Sequence, residues 1–120
     1  MEKSSVIYVL DSNKNSREIL KSYIDDFNLN VEIKIFSDYR IGVNDIKAEE
    51  NIPIVFVDIS ETKPEMLESI ESIRLLTPKI IITSNDYSTS TIIQAMRLGA
   101  KEFLPKPIIK EDLLRIITML

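Results

Sequence analysis

Three short runs of the sequence are apolar at every position, and they constrain the fold more than any other feature. They cover residues 6–10 (VIYVL), 54–57 (IVFV) and 80–82 (III). Runs this short cannot form buried helices, and their β-branched residues favour strands. Strands without polar alternation are covered on both faces, which is typical of the central strands of a parallel sheet.

Two further runs predict strands at the edges of that sheet. Residues 31–36 (VEIKIF) alternate between apolar and polar side chains, so one face of this strand is less buried. Residues 102–104 (EFL) are few and stop at Pro105, which has no backbone N–H for a strand ladder. Both runs therefore fit the two outer positions better than a central one.

The segments between these runs have the period of helices. Their apolar residues recur at spacings of three and four, as on one buried helix face. They are Ile19, Leu20, Tyr23, Ile24 and Phe27; Met66, Leu67, Ile70 and Ile73; Ile92, Ile93 and Met96; and Leu113, Ile116, Ile117 and Leu120. Residues 39–49 predict a weaker helix that Gly42 interrupts. Gly99 is suited to a left-handed cap after the fourth helix, and Pro64 and Pro78 bound the third.

Strand and helix thus alternate five times along 120 residues, which leaves no room for a second domain. Parallel strands need right-handed crossovers, and the half-polar strands belong at the edges. The sequence therefore predicts one α/β domain over residues 1–120, a flavodoxin-like doubly wound (βα)5 fold with a five-stranded parallel sheet of order 2-1-3-4-5.

Composition excludes several classes of function. The chain has no cysteine and no histidine, which rules out disulfide frameworks, thiolate zinc sites and Ser-His-Asp catalysis. The net charge of −4 leaves no large basic field for direct nucleic-acid binding. The longest apolar run, residues 6–10, is far shorter than the roughly 20 residues of a membrane helix. A cytoplasmic location without membrane association is therefore expected.

Polar side chains stand where the predicted strands end. Asp11 follows strand 1, Asp58 follows strand 3, Thr83 follows strand 4, and strand 5 leads to Lys106. In a doubly wound sheet the ligand site lies outside the carboxyl ends of the strands, here between strands 1 and 3. Phosphoryl transfer needs an oxygen nucleophile, a hard cation held by oxygens, and donors for the phosphoryl oxygens, and this set supplies each type.

The motifs around these residues resemble the receiver domain of two-component response regulators, over essentially the whole chain. The segments that carry the resemblance are "VFVD" ending at Asp58, "IIITS" with Thr83, and "AMRLGAKEFLPKP" with Phe103 and Lys106. The last segment is the most specific. The resemblance implies the same fold and a place in a phosphorelay.

The resemblance also implies a role for each site residue. Asp58 would accept a phosphoryl group from a histidine kinase, a phosphotransfer protein or a small phosphodonor, and Thr83 and Lys106 would contact the phosphoryl oxygens. Mg²⁺ would be held by Asp11, Asp58 and Ser60. Thr83 and Phe103 would form the switch, and the peptide between Lys106 and Pro107 would be cis. Enzymatic activity would be at most the phosphorylation and dephosphorylation of the domain's own Asp58.

The same resemblance implies the downstream partners. They would be a separate protein, an attached output domain, or a second copy of the chain in a homodimer. The sequence is equally compatible with a single-domain regulator and with the amino-terminal piece of a longer protein.

Two positions depart from the family's pattern. Ser12 stands where the family usually has a second acid, so weak Mg²⁺ binding is expected. In the loop "DISETKPEM", Thr62 replaces a usual proline, and Glu61 is a candidate to turn toward the metal. These departures keep open an alternative, a pseudo-receiver that binds other proteins without phosphorylation. A flavin or nucleotide binder is disfavoured, because neither of the two glycines follows strand 1.

Overall fold

Strands and helices alternate along residues 5–61 and 63–120, which the computed structural model describes. The strands are β1 (Ser5–Leu10), β2 (Val31–Phe36), β3 (Ile54–Asp58), β4 (Ile80–Ser84) and β5 (Glu102–Pro105). The helices are α1 (Lys14–Asp26), α2 (Tyr39–Ala48), α3 (Pro64–Arg74), α4 (Thr89–Arg97) and α5 (Lys110–Met119). All strands are parallel in the order β2-β1-β3-β4-β5, so the predicted architecture is confirmed. Thr62 and the first four residues of the predicted domain lie outside the described residues.

The core lies on both faces of the sheet, as the fully apolar central strands require. Alternate strand residues point to opposite faces. Side chains such as Tyr8 and Val57 pack with α2, α3 and α4, whereas Val9 and Phe56 pack with α1 and α5. None of the helices in the described ranges is long and apolar enough to cross a membrane.

The central strands extend further toward their carboxyl ends than predicted. β3 includes Asp58, and β4 continues through Thr83 to Ser84. Asp58 and Thr83 are direct neighbours in the parallel ladder. The sheet backbone, rather than a loop, therefore holds both side chains side by side.

Helix ends follow the signals in the sequence. The Asn13 side chain accepts a hydrogen bond from the backbone N–H of Ser16 and caps α1, which places Ser12 in the turn after β1. Gly99 has a φ of 102° and ends α4, as expected for a left-handed cap. The residues flanking the site are therefore positioned by local capping as well as by the sheet.

Gly42 does not interrupt α2, and that expectation from the sequence was wrong. The helix runs through it, and the Gly42 N–H donates to the carbonyl of Asp38. The reason for glycine is packing: a Cβ atom here would overlap Cδ2 of Leu10 and approach Cβ of Phe36 to 3.3 Å. The missing side chain lets α2 lie directly on β1 and β2.

Replacing Gly42 by alanine is expected to lower the free energy of unfolding by about 1–2 kcal/mol. Alanine favours a helix by about 1 kcal/mol, but overpacking a core costs about 1–3 kcal/mol. The upper part of that range, about 2–3 kcal/mol, applies here because the fully buried Leu10 cannot easily move. Urea unfolding of Gly42→Ala measures the net effect. The matched control makes the same change in a Leu10→Ala background, where the shorter side chain provides space. There, Gly42→Ala should lower the free energy of unfolding much less, measured against Leu10→Ala alone. A single variant as stable as the wild type would contradict this packing.

Candidate functional site

The ends of β1, β3 and β4 and the segment after β5 bring four polar side chains into one buried cluster. The exposed fractions are 2% for Asp11, 5% for Asp58, 1% for Thr83 and 8% for Lys106. Charged side chains this buried need partners, because desolvation disfavours an isolated charge. In the described part of the chain, every buried side-chain nitrogen and oxygen has a hydrogen-bond partner.

Lys106 supplies the positive charge of this cluster. Its Nζ atom lies 2.8 Å from Oδ2 of Asp11 and 2.7 Å from Oδ2 of Asp58, and it also donates to the Ser16 hydroxyl at 3.0 Å. Two carboxylates thus share one ammonium group. The peptide bond between Lys106 and Pro107 is cis, as expected.

The Asp58 carboxylate is held by donors on both oxygens. Oδ2 accepts from the Thr83 hydroxyl at 2.9 Å and from the Ser60 hydroxyl at 3.1 Å, and it forms an ion pair with the Lys106 ammonium. Oδ1 accepts from the backbone N–H of Ser60 at 2.9 Å. Bonds from charged and neutral donors together fix the plane of the carboxylate. Asp58 is therefore oriented before any ligand arrives.

The pKa of the Asp11 carboxyl group is raised in the folded protein. Burial raises the pKa of its carboxyl group, and the nearby Asp58 carboxylate raises it further, while the Lys106 ammonium and the Asn13 N–H lower it. Because folding raises this pKa, the ionised form weakens the fold. Its unfavourable contribution shrinks as the pH falls from the folded pKa toward the ordinary 3.8.

Tyr39 is a residue of the site that the sequence did not point to. Its hydroxyl donates to the main-chain carbonyl of Asp58 at 2.7 Å. Burial and the neighbouring Asp58 carboxylate raise the pKa of the phenol well above its ordinary value, so it remains a donor. Tyr39 begins α2 beside the edge strand, and only the packing of α2 across β1 brings it to the site.

Arg17 is a second residue that the sequence did not point to. From the first turn of α1, its guanidinium donates to the main-chain oxygen of Asp11 at 2.9 Å. Arg17 therefore stabilises the main chain at Asp11, as Tyr39 does at Asp58. Neither residue belongs to a motif, so only the tertiary structure reveals them.

Ser12 lies at the exposed side of the cluster. A groove of about 230 Å³ opens there, lined by Ser12, Tyr39, Glu61 and Lys63 among others. The Glu61 carboxylate pairs with the Lys63 ammonium at 3.1 Å, and both side chains are exposed. The structure thus places Glu61 on the same groove as Ser12, where it pairs with Lys63.

Phe103 lies in β5, where it pairs with Ile82 in the ladder. Its ring is partly buried and packs against the core on the α2, α3 and α4 face. Strand β4 lies between β5, which contains Phe103, and β3, which ends at Asp58.

The donor set fits Mg²⁺ as a site with two carboxylates. In residues 5–61 and 63–120, no three acidic, histidine or cysteine side chains lie close enough together to hold a metal ion by themselves. Mg²⁺ is commonly bound through one or two carboxylates, with waters and phosphate oxygens completing its octahedron. Asp11 and Asp58 meet that requirement, and the hydroxyl at position 12 lowers the charge available to the ion.

Comparison with known proteins agrees with the architecture. The chain matches the model of the response regulator receiver domain family over residues 7–118. No curated protein sequence is significantly similar to it.

Several solved structures are similar over almost the entire length. A response regulator receiver domain protein from Methanospirillum hungatei JF-1 is 22% identical, with a TM-score of 0.79 and coverage of 98% of this chain and 93% of that one. A response regulator from Thermotoga maritima is 20% identical, with a TM-score of 0.82 and coverage of 98% and 97%. A chemotaxis protein from Vibrio cholerae is 17% identical, with a TM-score of 0.81 and coverage of 98% of both chains. At these identities the likeness is one of fold.

Proposed function

This chain belongs to the response regulator receiver domain family of two-component signalling, and from that premise we propose that Asp58 is the residue that its phosphoryl donor modifies. The observation that carries the proposal is the set of donors on one oxygen of Asp58. An ammonium and two hydroxyls converge on Oδ2, which is how a site is prepared to receive negative charge.

The transfer is a displacement at phosphorus. A carboxylate oxygen of Asp58 forms the new P–O bond, and the bond from phosphorus to the donor breaks. The leaving group is the imidazole of a phosphohistidine, or the acetate of acetyl phosphate. The Lys106 ammonium, which pairs with Asp58 at rest, then pairs with the phosphoryl oxygens, and the Thr83 hydroxyl changes its acceptor in the same way.

Mg²⁺ belongs to this proposal as a weakly held ion. When bound, it would neutralise the repulsion between the carboxylates and the incoming phosphoryl dianion. Asp11, Asp58 and Ser60 would hold it, and the missing acid at Ser12 makes that binding weak.

A small phosphodonor tests the function without a kinase. Incubation with acetyl phosphate and Mg²⁺ is expected to add the mass of one phosphoryl group, seen by intact-protein mass spectrometry. Asp58→Asn should abolish the addition. The matched control is Asp25→Asn, which changes an exposed aspartate on α1 that pairs with Lys21, and it should label like the wild type. No label on the wild type, or a label that survives Asp58→Asn, would refute the proposal.

A second function is favoured by two specific observations. One ammonium, that of Lys106, pairs with both acids, and Ser12 stands where an anionic ligand would be. A domain of this kind could act as a phosphorylation-independent interaction module. If Asp58→Asn supports the wild-type output in the native pathway, this second function is correct. If the output is lost, the phosphorylated switch is correct.

The partners follow from the family and are proposed at that level. A histidine kinase or a phosphotransfer protein would supply the phosphoryl group. A downstream protein, an attached output domain or a second copy of the chain would respond, with Thr83 and Phe103 as the side chains that reorient.

A further inference from the structure

The Ser60 hydroxyl connects the Asp58 carboxylate to the backbone at the end of the neighbouring strand. Ser60 Oγ donates to Oδ2 of Asp58 at 3.1 Å and accepts from the backbone N–H of Asn85 at 2.9 Å. Ser60 follows β3 and Asn85 follows β4. One hydroxyl therefore bridges the two segments that leave the site.

The two hydrogen bonds of Ser60 depend on each other. A serine hydroxyl has a single proton, and donating it to a carboxylate polarises the oxygen and makes it a better acceptor. The Asn85 N–H is bound to that polarised oxygen. Loss of negative charge on Asp58 therefore weakens both bonds, although only one of them touches the carboxylate.

From Asn85 the connection continues to the start of α4. The next residue, Asp86, has its backbone N–H bound to the Ser84 hydroxyl at 3.0 Å. The Asp86 carboxylate accepts from the N–H of Ser88 at 2.9 Å and from the Thr91 hydroxyl at 2.8 Å, so it holds the first turn of the helix. A movement of Asn85 is thus passed to residues that cap α4.

We propose that Ser60 is a positioning residue that reports the charge state of Asp58 to the segment between β4 and α4, residues 85–88, in parallel with Thr83. In the unmodified protein, the hydroxyl holds the Asn85 N–H. Bonding of an Asp58 oxygen to phosphorus moves the negative charge from the carboxylate to the phosphoryl oxygens. The Ser60 hydroxyl, like that of Thr83, then turns from the carboxylate toward those oxygens, and the Asn85 N–H is released to water. This inference rests on the proposed function for its trigger, but not for the resting contact.

The experiment measures hydrogen exchange of the backbone amide at position 85 by NMR. In the ligand-free protein, Ser60→Ala is expected to accelerate this exchange by about five-fold or more, because the amide loses its acceptor. Ser60→Thr keeps a hydroxyl and should restore slow exchange. Asn85→Ala keeps the backbone N–H and should exchange like the wild type. The Ile59 amide, which donates to the Thr83 carbonyl at 2.9 Å, serves as the internal reference and should not change.

Two further arms test the dependence on Asp58. Asp58→Asn, which removes the charge without a ligand, should accelerate exchange at position 85 but not at Ile59. Beryllofluoride with Mg²⁺, which mimics the phosphoryl group, should do the same in the wild type and add little in Ser60→Ala.

The outcomes separate this inference from the proposed function. The inference is overturned if Ser60→Ala or Asp58→Asn changes the amide exchange rate at position 85 by less than about two-fold relative to the wild type. So would bound beryllofluoride, seen as shifts at Asp58, that leaves position 85 unchanged. If beryllofluoride does not bind at all, the proposed function fails, and the Asp58→Asn arm still decides whether Ser60 reports the carboxylate charge.

Discussion

Replacing Lys106 by methionine is expected to lower the free energy of unfolding at neutral pH by about 3–5 kcal/mol, the usual cost of removing one partner from a buried ion pair. Lys106 Nζ lies within 2.8 Å of both Asp11 and Asp58, whose side chains are only 2% and 5% exposed. Methionine fills similar space but leaves two carboxylates buried together without a cation. Urea unfolding followed by circular dichroism measures the loss.

The pH dependence distinguishes this electrostatic effect from lost packing. Without the ammonium, the pKa of Asp11 should rise further, because Lys106 is one of the groups that lowers it. A raised pKa means that the folded state binds protons more tightly, so the variant should become relatively more stable as the pH falls toward the ordinary carboxyl pKa. Lys106→Met combined with Asp11→Asn should recover much of the loss at neutral pH. A deficit that is equal at all pH values, and not recovered by Asp11→Asn, would contradict the electrostatic explanation.

Replacing Ser12 by aspartate is expected to raise the affinity for Mg²⁺ by about ten-fold or more. The change adds an anionic oxygen at the exposed side of the cluster, and Mg²⁺ is held mainly by carboxylates and waters. The same change places a further negative charge near Asp11 and Asp58, so the metal-free variant should have a lower Tm than the wild type. Mg²⁺ should restore that Tm, because a ligand stabilises the state that binds it.

The affinity can be measured by following amide shifts near Asp58 during a Mg²⁺ titration. Ser12→Asn is the matched control, since it has almost the shape of aspartate but no charge. If aspartate and asparagine at position 12 give the same affinity, the side chain at position 12 does not face the ion, and the weak binding expected of the wild type has another cause.

The fold followed from local features of the sequence. Three uninterrupted apolar runs, two half-polar runs and the helical spacing between them predicted the strand order, because parallel sheets allow few connections. The burial of the central strands on both faces confirms the physical basis of that prediction. Gly42 shows the limit of local features. Its role in α2 depends on contact with Leu10, which lies in β1, far away in the sequence, and helix propensity contains no information about that contact.

The candidate site, like the fold, could be predicted from the sequence only in part. Four site residues were identifiable because strand ends converge in a parallel sheet, and the motifs around them indicated phosphoryl transfer. They are Asp11, Asp58, Thr83 and Lys106. The sequence by itself therefore determined that these four side chains meet. Only the tertiary structure decided how they bond: one ammonium shared by two acids, Tyr39 and Arg17 fastening the main chain, and the Ser60 hydroxyl linking Asp58 to Asn85. The physical reason is that strand order follows from short-range patterns, whereas hydrogen bonds of about 3 Å depend on the packing of every element around them.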